Sequence, residues 1–489
     1  MDQTGSDLFG APISSQIAAF AADLSFDHVP PKIVDHARNL MLDAVGCALA
    51  AQPEDFTQRY IDAITELSGV KTDGAGCAII GQSLRLPMRD AALLNGVLAH
   101  GLDFDDTHIT GIAHLSAAVL PAVMALGAQN AVSGQRMLHY YILGLEIGSR
   151  LASAAPGLFH ECGFHPTVTV GVFAAAVACA GLLGLDRQGL ERAQGFALSM
   201  AGGTLQFVED GAWTKRMHPG WAASSGIACA IMARQPIPTP HKVYEGRFGL
   251  YRAFLGASNM ARVHLDQITA DQGSTWQLMS IGVKPFPVCH FNHGCADAAI
   301  ALHGRMARSG LKVQAIRRIE ARVPHGVMSS VCEPVDIKRT PSSDYEAKFS
   351  MHYAVACGLL RGHLGLADLA PDAVRDPDAR ALMQLIDCTP DPSTTFPRHF
   401  TGEVRVFFDD GTTLVHREAI NRGHADRPMD GAEIRAKFRA NAGLSFPGER
   451  VQALEESILS IDVQSDVRAL DTLLTALPFP HVSNQGTFS

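Results

Sequence analysis

His100, Asp103, Asp105, Asp106, Thr107, His108 and His114 fall within fifteen residues, and Leu115-Ser116 follows directly. Apolar, helix-like sequence brackets them: Ala91-Ala92-Leu93-Leu94 before, Ala117-Ala118-Val119-Leu120 after. Burying carboxylates beside imidazoles is costly unless each is hydrogen-bonded or paired. Chemistry that needs shifted pKa values is where that cost is usually met. The segment therefore reads as part of an active site built for proton transfer. The plainer alternative is a polar helix-helix connection with a capping Asp.

Four more segments carry reactive side chains. His165-Pro166-Thr167 opens an apolar helix, where free backbone N–H groups favour anions. Thr214-Lys215-Arg216-Met217-His218-Pro219-Gly220 sets two cations and an imidazole just before another helix. Arg grips a carboxylate with two parallel bonds, and Lys acts as a point charge or proton donor. Lys284-Pro285-Phe286-Pro287-Val288-Cys289-His290 is a stiff stretch, at a change of texture, carrying a lysine, a thiol and an imidazole. Glu245-Gly246-Arg247-Phe248-Gly249 reads as a turn that offers Arg247 to an anion. The sequence holds no Gly-rich nucleotide loop after a strand, no convincing metal set and no Gly-x-Ser-x-Gly elbow. This inventory suits cofactor-free acid–base chemistry beside a carboxylate.

The elements that must position these groups are helical up to about Leu255. The periodicity predicts helices from Ser14-Ser15 to Leu24, from Pro31 through Ala48, and over Phe56–Leu67, Met88–His100, Ser116–Asn130 and Gly134–Ala154. Thr167–Leu183, Arg187–Ala201 and Gly220–Met232 complete this half. The texture changes near Gly282. Val313–Val323 alternates as a half-buried strand, and Glu403–Phe408 and Thr412–Arg417 flank the turn Asp409-Asp410-Gly411. Ala347–Arg361 and Pro371–Leu385 read as helices between them. Beyond Arg422 helices return at Asp430–Ala440, Glu449–Leu459 and Val467–Leu477. The expected architecture is mostly α: a large helical domain from residues 1–281 and 423–489, with a smaller α+β domain, 282–422, inserted.

Composition narrows the class. The chain has 489 residues, 47% hydrophobic and only 18% charged, so large cores or a subunit interface are expected. A net charge of −9 and a pI near 6.1 argue against nucleic acid as a partner. They leave room for a small anionic substrate held by a few lysines. The ten cysteines form no CxxC pair, which suits a reduced cytoplasmic protein. Met1 to Ser15 shows no export signal. Val168–Leu185 is long and apolar but rich in Ala and Gly, and reads as the central helix of a soluble bundle rather than a membrane span. The tail after Leu477 is expected to fray.

Taken in order, His100–His108, His114-Leu115-Ser116, Gly163–Thr167, Thr214–Gly220, Glu245–Phe248 and Lys284–Gly294 resemble the MmgE/PrpD family over nearly the whole chain. That family includes 2-methylcitrate dehydratases, cis-aconitate decarboxylases and iminodisuccinate epimerases. The resemblance implies a helical domain, an α+β lid, a homodimer, and a site between the two domains without metal or organic cofactor. It implies that Asp103 and Thr107 line the site and that His114 transfers the proton. His165 would be a second wall residue and acid–base candidate, and Lys215 and Lys284 would bind substrate carboxylates. Arg216, His218, Arg247 and Cys289 complete the expected substrate-binding set, with Lys284 also a candidate proton-transfer group. Leu115 stands where the family more often has proline, and Cys289 where some decarboxylases have histidine. His325-Gly326-Val327-Met328 offers no counterpart of a decarboxylase-like tyrosine. Dehydration of a citrate-like 2-hydroxy acid is the favoured activity, with decarboxylation and epimerisation as alternatives. A non-catalytic binding protein on this scaffold would be expected to lack His114, Lys215 or Lys284, and all three are present.

Overall fold

The computed structural model describes residues 10–69 and 75–475, so the expected fraying tail and the first residues lie outside it. The chain is mostly helical, and its buried apolar side chains form two cores. One draws on residues from Ile13 to Val283 and again from Met429 to Leu474. The other draws on residues from Phe286 to Phe408. Among the described residues no helix is long and apolar enough to cross a membrane.

Small residues let the helices of the first core approach closely. Met88–His100 and Thr214–Ala233 cross at Gly96 and Gly220, where a Cβ on Gly96 would stand 2.5 Å from the Gly220 Cα. The Gly171–Leu182 helix is buried along its whole length. It is shorter than the expected Thr167–Leu183, because the chain breaks after the Pro166–Thr169 turn. There the Thr169 hydroxyl donates to the carbonyls of His165 (3.0 Å) and Gly202 (2.9 Å), competing with regular helical bonding. The expected cap at Ser14 is also displaced. The first helix is Ile13–Asp23, and the Ser14 hydroxyl donates to the His241 carbonyl instead.

Among the described residues there are eight short strands. β1 (Cys77–Ala78) pairs with β2 (Arg85–Leu86), and β3 (Thr107–His108) with β4 (Ile281–Gly282), both antiparallel. The second core contains a four-stranded sheet of β5 (Ile316–Val323), β6 (Ile386–Pro390), β7 (Gly402–Phe408) and β8 (Thr413–Glu418), in the order β6-β5-β7-β8. β5 runs parallel to β6 and antiparallel to β7, with Ile319 opposite both Ile386 and Val406. Ile316, Ile319, Ala321 and Val323 are buried, as the alternation predicts. The helices His293–Ser309 and Met351–Arg361 pack against the sheet. The expected helix Ala347–Arg361 is split, because the Ser350 hydroxyl caps a new start by accepting from Tyr353 N–H (3.0 Å). Pro371–Leu385 is likewise divided by Asp376, which caps Pro377–Gln384.

Candidate active site

The two cores meet around a cavity of about 270 Å³. This is near the lower end of ligand-site volumes, about 300–1,000 Å³, and suits a small acid. Three devices place its reactive groups. The β3–β4 ladder pairs Thr107 with Gly282, so Lys284 follows directly beside the acidic loop. Asp103 has φ +54°, an uncommon left-handed conformation for a non-glycine residue, and this turns the loop back after the Met88–His100 helix. The glycine crossing draws the end of that helix toward the start of Thr214–Ala233.

That last helix corrects an expectation. It begins at Thr214 rather than Gly220 and runs through Pro219. Proline in the second turn removes one hydrogen bond to Lys215, a cost confined to a helix end. Lys215 and His218, three residues apart, then share a face. Arg216 also lines the cavity, with its Nε donating to the Gly101 carbonyl (2.8 Å) and its guanidinium lying over Phe56.

Asp103 is the electrostatic centre. Lys215 Nζ lies 2.8 Å from Oδ2 and Lys284 Nζ 3.0 Å from Oδ1, and Lys284 also donates to the Asp103 carbonyl (2.8 Å). Burial pushes the Asp103 carboxyl up, but the two ammonium groups outweigh it and hold it well below its usual range. Burial works against the Lys284 charge, and Asp103 and Asp105 reverse this and raise its pKa. His114 precedes the Leu115–Asn130 helix, with Nε2 3.8 Å from Asp103 and Nδ1 3.4 Å from Asp105. Of the two carboxylates, Asp105 is thus the nearer to His114 and Asp103 the farther. Asp105 also takes the His100 Nδ1 at 3.0 Å, and both side chains are fully buried. Burial disfavours the Asp105 charge, yet His100 and His114 pull its pKa far down. Asp106, buried next to Asp105, is pushed well up by desolvation and by that neighbour. Three carboxylates in four residues therefore hold two different states, with Asp103 and Asp105 favoured as carboxylates and Asp106 pushed toward its neutral form.

His165 is buried at the cavity wall. Its Nδ1 lies 2.9 Å from His218 Nδ1, and its Nε2 3.0 Å from the Thr167 hydroxyl, which accepts from the His114 N–H (3.1 Å). Burial lowers the His165 pKa far and that of His218 to about 4, so both rings are neutral near pH 7. His218 stands behind His165 rather than in the lining. Cys289 does line the cavity, and burial pushes its thiol up to about 11, so it is no thiolate. Arg247 is exposed, stacks on Phe248 (4.9 Å), and is not part of the lining. Other lining residues escaped the sequence reading: His160, Tyr345, Lys348 and Phe400. A tyrosine therefore does face the cavity, from well beyond His325-Gly326-Val327-Met328.

Ligand atoms of His100, Asp103, Asp105 and His114 lie within 4.8 Å of one another. Asp103 is already gripped by two ammonium groups, which would repel a cation. The cluster suits proton transfer and anion binding better than metal ligation.

The comparisons fit this arrangement. The model of the MmgE/PrpD N-terminal domain matches residues 15–262, and that of the MmgE/PrpD C-terminal domain matches residues 286–462. The chain belongs to the MmgE/PrpD family. Within it, the chain is 27% identical to the cis-aconitate decarboxylase of Homo sapiens, over 96% of each chain. It is 26% identical to the cis-aconitate decarboxylase-like protein oryM of Aspergillus oryzae, over 95% of this chain and 97% of that one. It is 24% identical to the 2-methylcitrate dehydratase of Escherichia coli K12, over 86% and 88%. Both match regions of the MmgE/PrpD family contribute to the cavity, the first through His114 and Lys215, the second through Cys289 and Tyr345.

Proposed function

We propose that this lyase removes water from a citrate- or 2-methylcitrate-like 2-hydroxy acid, with His114 as the proton-transfer residue. The observation that carries the reading is a histidine beside a carboxylate gripped by two lysines in a small cavity. Removing a C–H proton next to a carboxylate puts enediolate-like charge on that carboxylate. Lys215 and Lys284 stabilise it once substrate displaces Asp103 as their partner. His114 Nε2 takes the C–H proton, Lys284 gives a proton to the hydroxyl so that it departs as water, and Thr107 hydrogen-bonds the leaving oxygen. His165, neutral at the wall, is the second acid–base candidate. The apolar rim of Phe207, Phe291, Phe349 and Phe400 keeps water out and strengthens these interactions.

Decarboxylation of an unsaturated tricarboxylate is the second reading, favoured by the fuller coverage of the decarboxylase relatives. It uses the same groups, with loss of CO2 followed by protonation of carbon from His114.

The second core is proposed to be a lid domain, 282–422, inserted in a helical domain, 1–281 and 423–489. The composition of the two cores supports this. A homodimer is proposed from the exposed apolar residues Val208, Trp213, Trp221, Ile231 and Ile237, all between residues 208 and 237. A cytoplasmic location is proposed from ten cysteines that are all free.

Proton NMR in deuterated water, with 2-methylcitrate, citrate, cis-aconitate and iminodisuccinate offered separately, tests the reaction. An alkene formed by water loss supports dehydration. Itaconate from cis-aconitate would make decarboxylation the activity, and deuterium exchange without net product would mean epimerisation. His114→Ala is expected to abolish turnover and keep the fold; normal activity would remove His114 from the mechanism.

A further inference from the structure

We propose that Asp105 is the positioning residue of the site: it fixes the proton of neutral His114 on Nδ1, so that the Nε2 lone pair faces the cavity. The inference rests on the reading of His114 as the proton-transfer group and adds what makes that group competent. Asp105 is fully buried and lies between two imidazoles, with His100 Nδ1 at 3.0 Å from Oδ1 and His114 Nδ1 at 3.4 Å from Oδ2. An ionised carboxylate only accepts hydrogen bonds, so the His100 nitrogen facing it carries hydrogen. The shorter contact of Asp105 compared with Asp103 favours hydrogen on His114 Nδ1 over Nε2. The Thr107 hydroxyl, 3.5 Å from the same Nδ1, then accepts there or donates elsewhere. For His100 the other nitrogen agrees. Its Nε2 is buried without a hydrogen-bond partner among the described residues, a tolerable place for a lone pair and a costly one for an N–H. For His114 the same assignment leaves Nε2 bare, 3.8 Å from Asp103 on the cavity side.

The effect on His114 is threefold. The correct tautomer is held without an entropic cost at the moment of reaction. The ring is oriented by Asp105 on its Nδ1 edge. The imidazolium formed after proton abstraction gains a buried counter-charge 3.4 Å away. His100 in turn holds Asp105. It is kept neutral by burial, which lowers its pKa to about 4 against the pull of Asp105. The pair is therefore a His–Asp brace behind a catalytic histidine, reached through a loop turn rather than along one element.

Two measurements test this. The first is nitrogen NMR of histidine-labelled protein, with the His114 signals assigned by their loss in His114→Gln. Neutral His114 is expected to show a protonated Nδ1 and a bare Nε2; the reverse tautomer would overturn the proposal whatever the protein catalyses. The second is Asp105→Asn, assayed on the substrate that wild type turns over. A fall in kcat of about 10²-fold or more is expected, with KM changed only a few-fold. The acid limb of the rate profile should move to lower pH, because the imidazolium loses a counter-charge. The other groups facing His114 are unchanged in this variant: Asp103, His100, His160, His165 and His290, with Lys215 and Lys284 beyond Asp103. A folded Asp105→Asn protein with wild-type kcat and pH profile would sink the proposal, while an inert His114→Gln left the functional reading standing. If Asp105→Asn does not fold, the tautomer of wild-type His114 decides. A wild type inert toward every acid offered would sink the functional reading, and the tautomer would still decide the role of Asp105.

Discussion

Lys215 and Lys284 both contact Asp103, but they are not equivalent. The Lys284 side chain is 5% exposed and makes two bonds to Asp103; that of Lys215 is 24% exposed and makes one. Removing a partner from a buried pair leaves an uncompensated charge, whereas an accessible partner is replaced by water. Lys284→Ala is therefore expected to lower both stability, by about 1–3 kcal/mol in urea unfolding, and kcat/KM, by about 10²-fold or more. Lys215→Ala should lower kcat/KM and leave the unfolding midpoint nearly unchanged; a matched loss of stability would show that its role is structural. At this scale the sequence was informative about identity and poor about pairing. Asp103, His114, Lys215 and Lys284 could be picked out by type and order. That His114 leans on Asp105 depends on the left-handed turn at Asp103, which no residue pattern announces. Arg247 fitted the pattern and lies elsewhere, because a turn residue reports local geometry and not which way the turn faces.

At the scale of elements, the position of the Lys215 helix depends on Gly96 and Gly220. A Cβ at Gly220 would come 2.1 Å from the Leu93 carbonyl oxygen, a contact that backbone must relieve. Gly220→Ala is expected to destabilise by about 1–3 kcal/mol, read as a lower melting temperature. The surviving fold should also lose activity, because the shift separates His100 from Lys215. A variant with unchanged activity and stability would mean that the crossing is loose. Helices with an apolar stripe and a clear cap were legible. Those divided by internal caps at Ser350 and Asp376 were not, since one periodic stretch hides a bend. Pro219 was read as a boundary because proline usually is one, yet in the second turn it costs one bond and the helix continues. β3 and β4 are two residues each, too short for any alternation to register.

At the scale of the whole molecule, the histidines set the pH response. Burial lowers His100, His108, His160 and His218 to about 4. In the unfolded chain such groups titrate near 6.5. Between those values the unfolded state binds more protons, so this stability is complete above about pH 6.5 and is lost as pH falls to about 4. Each fully buried histidine contributes a slope of about 1.4 kcal/mol per pH unit. Asp43, Asp106 and Glu146, whose pKa values are raised chiefly by burial, work in the opposite sense from the low end of this window up to their folded values. The histidines outnumber them, so urea midpoints should fall steadily from pH 7 to pH 5, with net proton uptake on unfolding. A flat profile would mean that these rings are hydrated. Assembly is checked separately: Trp221→Glu is expected to convert a dimer into monomers in light scattering, and an unchanged mass would place any interface elsewhere.

The β3–β4 ladder has a mechanical consequence. It ties Thr107 to Gly282, two residues from Lys284, and Lys437 adds a bond to the Phe104 carbonyl (2.7 Å) on the same loop. Lys284, although numbered within the proposed lid 282–422, is thus tied to the acidic loop, at the hinge edge of that lid. If the second core swings to admit substrate or free product, the moving edge is the Tyr345, Lys348 and Phe349 side. The ammonium on Asp103 then travels with the floor of the site through every turnover.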